Sequence, residues 1–354
     1  MANLSAASAA EVVLPSDDLD ADVRFFVDTL GLRLELIFPA DDPSVAVVSG
    51  RGLRLRLDLA HDGTPVTLRL EAKEASADLV APNGTRIVFA APPALKIPPL
   101  QPSLVITPAT EEAVWGSGRA GMLYRDLLPL REGGRFIASH IRIPTGGPVP
   151  DYVHFHQIRF QMIYCHKGWV RVVYEDQGEP FVMHAGDCVL QPPEIRHQVL
   201  ESSEGLEVVE IGCPAEHLTR VDHELELPTR QLRPERDFGG QRFVRHVAAE
   251  ATWQPWIWPH YGARDLGIGQ ATRGLAQVRV ARCDDVNAAG TQHHKASGEF
   301  YFLFVLHGAA ELVVQERRAR IAEGAALAIP SGTRFALTPT ADTLELLEVS
   351  LPGG

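Results

Sequence analysis

The sequence predicts a mostly-β chain: two barrels or sandwiches of short antiparallel strands in tandem, preceded by a small βαβββ module of α+β type. Three observations carry this. First, landmarks recur through the C-terminal two-thirds: Arg125-Asp126-Leu127 returns as Arg264-Asp265-Leu266 at an offset of 139. Gly168/Gly308, Gly186/Gly324 and Pro192/Pro330 follow at offsets of 140, 138 and 138, which marks a tandem duplication. Second, each copy consists of short alternating runs broken by turn residues, the rhythm of antiparallel β barrels. Third, the N-terminal block has a different rhythm, with one helical stretch set between strand-like runs.

Composition bounds the function. A chain of 354 residues is long enough for two or three domains. Apolar residues at 45% and charged residues at 22% supply packed cores and exclude global disorder. Asp and Glu number 45 against 33 Lys and Arg, a net charge of -12, with no basic cluster. That balance argues against nucleic-acid and anionic-membrane partners. No run approaches the ~18–20 apolar residues of a membrane span. Residues 1–10 carry no Lys or Arg and no apolar core, so no signal peptide and a cytoplasmic location are expected. Cys165, Cys188, Cys213 and Cys283 lack CxxC spacing, which argues against a disulfide scaffold or a thiolate zinc site.

In chain order, the first block covers 1–92. A strand over 11–14 leads to Asp17-Asp18-Leu19-Asp20, a helix start, and Val23, Phe26, Val27 and Leu30 then fall at helical spacing until Gly31. Strands are predicted over 33–38, 45–48, 53–59 and 66–70, and over 85–89 after the Pro82-Asn83-Gly84 turn. Residues 93–110 hold Pro93, Pro98, Pro99, Pro102 and Pro108 and read as a linker. The first repeat covers 111–228, with strands over 136–143, 170–174, 181–183, 188–191 and 206–211. The second repeat covers 229–354, with strands over 277–281, 300–306, 309–314, 325–329 and 344–349.

The chemistry concentrates in the first repeat. His154-Phe155-His156 places two imidazoles two residues apart on a strand, hence on one face. Gln161 opens the next strand, and His197 lies five residues beyond Pro192. A barrel folding these strands together brings three imidazoles to one interior point. Three neutral nitrogen ligands on a rigid scaffold suit Fe(II), Zn, Ni, Co or Mn with open coordination positions. These residues resemble the cupin superfamily, whose first motif carries an HxH pair, a glutamate and a glycine, and whose second carries a glycine, a proline and a histidine. Here the slots hold His154, His156, Gln161 and Gly168, then Gly186, Pro192 and His197, with Glu194 in a glycine slot. The resemblance implies two double-stranded β-helix (jelly-roll) barrels, with His154, His156 and His197 as metal ligands and Gln161 as a fourth. Glutamine in place of glutamate leaves the metal its full charge, which favours an anionic or bidentate oxygen substrate, and removes a carboxylate base.

In the second repeat the same slots hold His294, Ala296, Tyr301 and Phe335, so a degenerate, structural barrel is expected, although His293 and Glu299 lie nearby. The first block resembles a single vicinal-oxygen-chelate (glyoxalase-like) module through Leu14-Pro15-Ser16-Asp17-Asp18-Leu19, 25–31 and Ala81-Pro82-Asn83-Gly84. Glu11 stands near that family's first ligand slot, but Val88 stands where its carboxylate belongs. This half-cup reads as a dimer contact or lid, and a homodimer is expected.

Other residues carry two readings each. Trp253, Trp256, Trp258, His260 and Tyr261 form either an aromatic wall over the metal or a strap between barrels. Arg142 and Arg159 are candidates for a substrate carboxylate or else solvated strand residues. His140 is a candidate proton shuttle or a satisfied core histidine. His166 is not read as a ligand, and Cys165 reads as a small buried hydrophobe. Gln161, His140 and Arg142 are thus the candidate catalytic residues, with His154, His156, His197 and Gln161 as candidate metal ligands. The leading functional expectation is an Fe(II) dioxygenase acting on a small aromatic or diketone-like substrate, by analogy with bicupin quercetin- and gentisate-cleaving enzymes. Alternatives are a redox-neutral Zn, Ni or Mn lyase, isomerase or cyclase, and a non-enzymatic small-molecule-binding protein.

Overall fold

A computed structural model of the chain describes residues 9–73, 76–109, 114–283 and 285–352. The chain divides into two compact units, 1–94 and 95–354. Among the described residues no helix is long and apolar enough to cross a membrane.

The first unit begins as predicted. Asp18 caps the helix Leu19–Arg24 by accepting from the Ala21 amide at 3.0 Å, and a π-type turn Phe25–Thr29 extends it toward Gly31. Strands Arg33–Phe38, Val45–Gly50 and Leu53–Asp58 form an antiparallel ladder, and Val12–Pro15 closes it by pairing parallel to Leu53–Asp58. The helix buries Phe26 against Leu14, Val48, Leu55 and Leu57 of this sheet. A small second sheet follows, with Arg86–Ala90 flanked by Thr67–Glu71 and Leu79–Val80.

The second unit is two barrels. In the first, one sheet runs Val244–His246, Cys188–Leu190, Phe160–Lys167, Leu206–Cys213, Ile137–Ile143, Leu123–Asp126 and Gly116–Ser117. The other runs Phe181–His184, Trp169–Tyr174, His197–Ser202, His154–Gln157 and Leu218–Val221, with Gly147–Pro148 beside His197–Ser202. The second barrel is built on two long strands, Phe300–Val314 and Arg334–Leu351, paired with each other. The sequence predicts separate strands over 300–306 and 309–314. They are one strand bent by irregularities between Val305 and His307 and between Gly308 and Ala310. Gly308 sits at φ +82°, where a Cβ would collide with the Thr343 carbonyl, so the bend requires glycine.

The duplication is visible as an exchange. Val105–Thr107, within the proline-rich stretch, pairs with Ala326–Ala328 of the second barrel, and Val244–His246 pairs with Cys188–Leu190 of the first. Each barrel's leading strand therefore completes its neighbour's sheet. The repeated arginines do the same: Arg125 donates to the Gly324 carbonyl, and Arg264 donates to the Gly186 carbonyl at 3.1 Å from both terminal nitrogens. Both arginines are buried.

Strand parity explains the largest core. Phe160, Met162 and Tyr164 pack with Phe300, Phe302 and Phe304 in the layer shared by the barrels, where Phe136 stacks on Phe300 at 4.3 Å. The alternate residues, Gln161 and Ile163 in one barrel and Tyr301, Leu303 and Val305 in the other, face their own barrel's interior. Strands covered on both faces read as continuous apolar runs, as Phe300 to Leu306 does.

Candidate metal centre

His154 and His197 face each other across neighbouring antiparallel strands, and His156 follows two residues on the same side. Each of the three rings offers a nitrogen within 4.8 Å of the others. The ring centroids of His154 and His197 are 4.3 Å apart, and those of His156 lie 5.2 and 5.3 Å from them. His154 and His197 are 1% and 5% exposed, so neither is a casual surface residue.

The rings are held from behind. The Nδ1 of His154 donates to the Tyr152 carbonyl at 2.7 Å, and that of His197 donates to the Ile195 carbonyl at 2.9 Å. A carbonyl only accepts, so Nδ1 carries the proton and Nε2 is the lone-pair nitrogen, the tautomer that binds a metal. His156 is held through Nδ1 by the Thr219 hydroxyl at 2.8 Å. Behind His154, the buried Asp151 carboxylate lies 3.6 Å from Nδ1 and accepts from the Val199 amide at 3.0 Å. Tyr174 stacks beside His197 and takes a hydrogen bond from Gln191 at 2.9 Å.

Gln161 lines the same cavity. Its amide nitrogen donates to Glu210 at 2.6 Å, which turns Oε1 into the remaining acceptor; that atom is buried and has no partner among the described residues. Three clustered imidazoles, two of them fixed in the metal-binding tautomer, with a buried, unpartnered amide oxygen in the same cavity, fit a divalent transition metal. The cavity has a volume of about 260 Å³. Its walls are mainly aliphatic, including Ile141, Ile163, Val172 and Val208, and among the described lining residues there is no Lys or Arg.

The structure does not bring His140 and Arg142 to this cavity. On the strand Ile137–Ile143, Ser139, Ile141 and Ile143 line it, so the intervening His140 and Arg142 face the other way. There they bind Glu207, at 2.9 Å from His140 and 2.6 Å from Arg142. Arg159 is likewise outside, paired through both terminal nitrogens with Glu299 of the second barrel, which also accepts from Arg135. Glu299 is thereby committed and does not join His293 or His294. Cys165 is fully buried, and burial pushes its thiol up to about 12. Glu11 pairs with Arg54 at 2.9 Å.

In the second barrel, His294, Tyr301 and Phe335 occupy the ligand slots as an aromatic cluster, with Trp258 against His294 and Phe335. Trp256, Trp258 and Tyr261 belong to this core rather than to a wall over the three histidines. Trp253 packs on the layer between the barrels, with Arg282 over its ring at 4.1 Å. Among the described residues, only the first barrel gathers three metal-ligating side chains.

Two cavity residues escape sequence reasoning. Glu210 lies on the strand Leu206–Cys213 beside Gln161, and its phase with cavity-lining Val208 and Leu206 is the signal that would find it. His217 stands 5.2 Å from the His156 ring, held by Nδ1 on the Pro214 carbonyl at 3.1 Å, and belongs to no motif spacing.

The comparisons agree with this geometry. Residues 139–212 match the family model described as Cupin domain. The fold is that of two-barrel cupins. It is similar to a mutant of Bacillus subtilis oxalate decarboxylase OxdC, with a TM-score of 0.51 at 12% identity over 69% of this chain and 76% of that one. It is also similar to protein Ylba from E. coli, with a TM-score of 0.50 at 11% identity over 70% of this chain and 91% of that one. No curated protein matches in sequence.

Proposed function

We propose that the first barrel is the active site of an Fe(II)-dependent dioxygenase that oxidises or cleaves a small aromatic or diketone-like substrate. The observation that carries this is a three-histidine cluster opening on an aliphatic cavity of about 260 Å³ without a Lys or Arg in its lining. A small dianion would find no side-chain cation there. A mostly apolar molecule with two neighbouring oxygens would bury its carbon skeleton on Ile141, Ile163, Val172 and Val208 and turn its oxygens to the histidines. When bound, the divalent metal supplies the redox and Lewis-acid chemistry that the side chains lack.

The protein's own residues do the rest. Backbone carbonyls fix the tautomers of His154 and His197, and the Thr219 hydroxyl holds the His156 ring, so little reorganisation accompanies binding. Gln161 offers its amide oxygen because Glu210 holds its nitrogen. The aliphatic walls offer water few partners, and Tyr174 packs against the His197 ring.

A second reading has its own support. Glu210 puts a carboxylate on the cavity wall, a proton acceptor of the kind a Zn, Ni or Mn lyase, isomerase or cyclase needs. Oxygen uptake separates the two. The protein reconstituted anaerobically with Fe(II), Zn, Ni or Mn is mixed with catechols, hydroxybenzoates and diketones in an oxygen-electrode cell. Uptake with Fe(II) alone, absent in His197→Ala, is the expected result. Substrate loss without uptake under Zn, Ni or Mn replaces the dioxygenase reading with the redox-neutral one.

We also infer a homodimer through the first unit, supported by the edge strand Arg33–Phe38, exposed along its length, which displays Leu34, Leu36, Ile37 and Phe38. Sedimentation of wild type and Phe38→Glu tests it; a monomeric wild type refutes it.

A further inference from the structure

A second cavity, of about 220 Å³, lies where the barrels meet, between Trp115, Arg125, His140, Arg142, His166 and Lys167 of the first barrel and Glu323 and Gly324 of the second. Its hydrogen bonds form a directed chain. Arg125 can only donate, so at 3.2 Å it makes the His140 Nδ1 an acceptor. The proton of His140 is then on Nε2, which donates to Glu207 at 2.9 Å. Burial opposes the Glu207 charge, but His140, Arg142 and nearby Lys167 outweigh it and hold the carboxyl at about 2. Lys167 also reaches Glu323 at 2.7 Å. Burial keeps His140 and His166 neutral, the latter pushed down to about 4. Arg125, Arg142 and Lys167 therefore face Glu207 and Glu323, leaving one positive charge in excess inside an otherwise acidic chain.

Two buried nitrogens are also left over. The Nε of Arg125 and the Nε2 of His166 are buried and have no hydrogen-bond partner among the described residues. Arg125 is 6% exposed and the His166 side chain 5%. The nearest carboxylate to His166 Nε2, that of Glu323, is 4.0 Å away, beyond hydrogen-bonding range. A buried guanidinium N–H left unmatched forfeits its hydration without replacement, so native structures seldom leave one so. Arg142 lies over the Trp115 ring at 4.6 Å, giving the cavity one flat aromatic wall.

We propose that this inter-barrel cavity is a binding site for a small monocarboxylate, whose two oxygens accept from the Arg125 Nε–H and from His166 in the tautomer with its proton on Nε2, and whose short apolar part lies against Trp115. One negative charge cancels the excess. A phosphate dianion would instead be pressed against Glu207 and Glu323. The site is separate from the three-histidine cavity, with which it shares no lining residue.

Titration calorimetry of the full chain with acetate, with inorganic phosphate as comparison at matched ionic strength, tests this. We expect one saturable acetate site, weaker binding of phosphate, and an acetate affinity unchanged in His197→Ala. His166→Phe fills the cavity and abolishes the binding. Glu323→Gln, a near-isosteric change at a part-exposed position, removes an opposing charge and tightens acetate about two- to fivefold. Absence of saturable acetate binding, loss of it in His197→Ala, phosphate binding more tightly than acetate, or no tightening in Glu323→Gln would each overturn the proposal.

Discussion

Replacing Asp151 with asparagine tests how the protein prepares its histidines. Asn keeps the shape and the oxygen that accepts the Val199 amide at 3.0 Å, but removes the charge 3.6 Å from His154 Nδ1. Two unit charges at that distance interact by about 5 kcal/mol at an effective dielectric constant of 20. His154 carries only the fraction of charge it gains when its Nε2 donates to a cation, so the loss is smaller. Outer partners of metal-bound histidines typically govern 10–100-fold in affinity, about 1.4–2.7 kcal/mol. We expect Asp151→Asn to weaken divalent-metal binding in that range, measured by competition with a chromophoric chelator, while the urea midpoint of the metal-free protein moves little. An unchanged metal affinity would refute the reasoning, because Asp151 would then serve only as an acceptor for the backbone.

Three further substitutions follow from the same physics. Burial pushes the Glu132 carboxyl up to about 7 from 4.5, so its contribution, about 3 kcal/mol, is present below pH 4.5 and lost as pH rises through 7. Glu132→Gln should flatten that decline in urea unfolding between pH 4.5 and 8, and an unaltered pH slope would contradict it. Arg264→Met removes bonds to the Gly186 carbonyl, His246 and Tyr164, and should cost about 3 kcal/mol in calorimetric stability; a change under 1 kcal/mol would deny the exchange its structural role. Gln161→Leu removes a buried unpartnered oxygen but also the donor to Glu210, so the two effects offset and the metal-free stability should move by under about 1 kcal/mol, while metal binding weakens about tenfold by chelator competition.

Much of the plan was legible in the chain itself. The offset between Arg125 and Arg264 and between Gly186 and Gly324 marks atoms that bond across the barrels in reciprocal pairs. His154, His156 and His197 were legible because an alternate pair on a strand and a fixed distance from a turn proline leave little freedom in where side chains point. His140 and Arg142 were misplaced for a complementary reason. Periodicity says that alternate residues share a face, but not which face meets the cavity, and here Ala138, in phase with His140, packs in the layer between barrels. The aromatic segment from Trp256 to Tyr261 was equally ambiguous, since aromatic mass fills a core as readily as it walls a pocket. Glu210 shares its strand phase with cavity-lining Leu206 and Val208, which marks its face but not what it meets there, and His217 fits no motif spacing. They become site residues only through pairing between strands distant in sequence.

The most direct measurement is the metal content of protein purified without chelator, by plasma mass spectrometry, for wild type and His197→Ala. We expect close to one divalent transition metal per chain in the wild type, with iron the metal that supports oxygen uptake, and almost none in the variant. Metal absent from both proteins even after reconstitution, or retained equally by both, would contradict the assignment of His154, His156 and His197 as a metal centre.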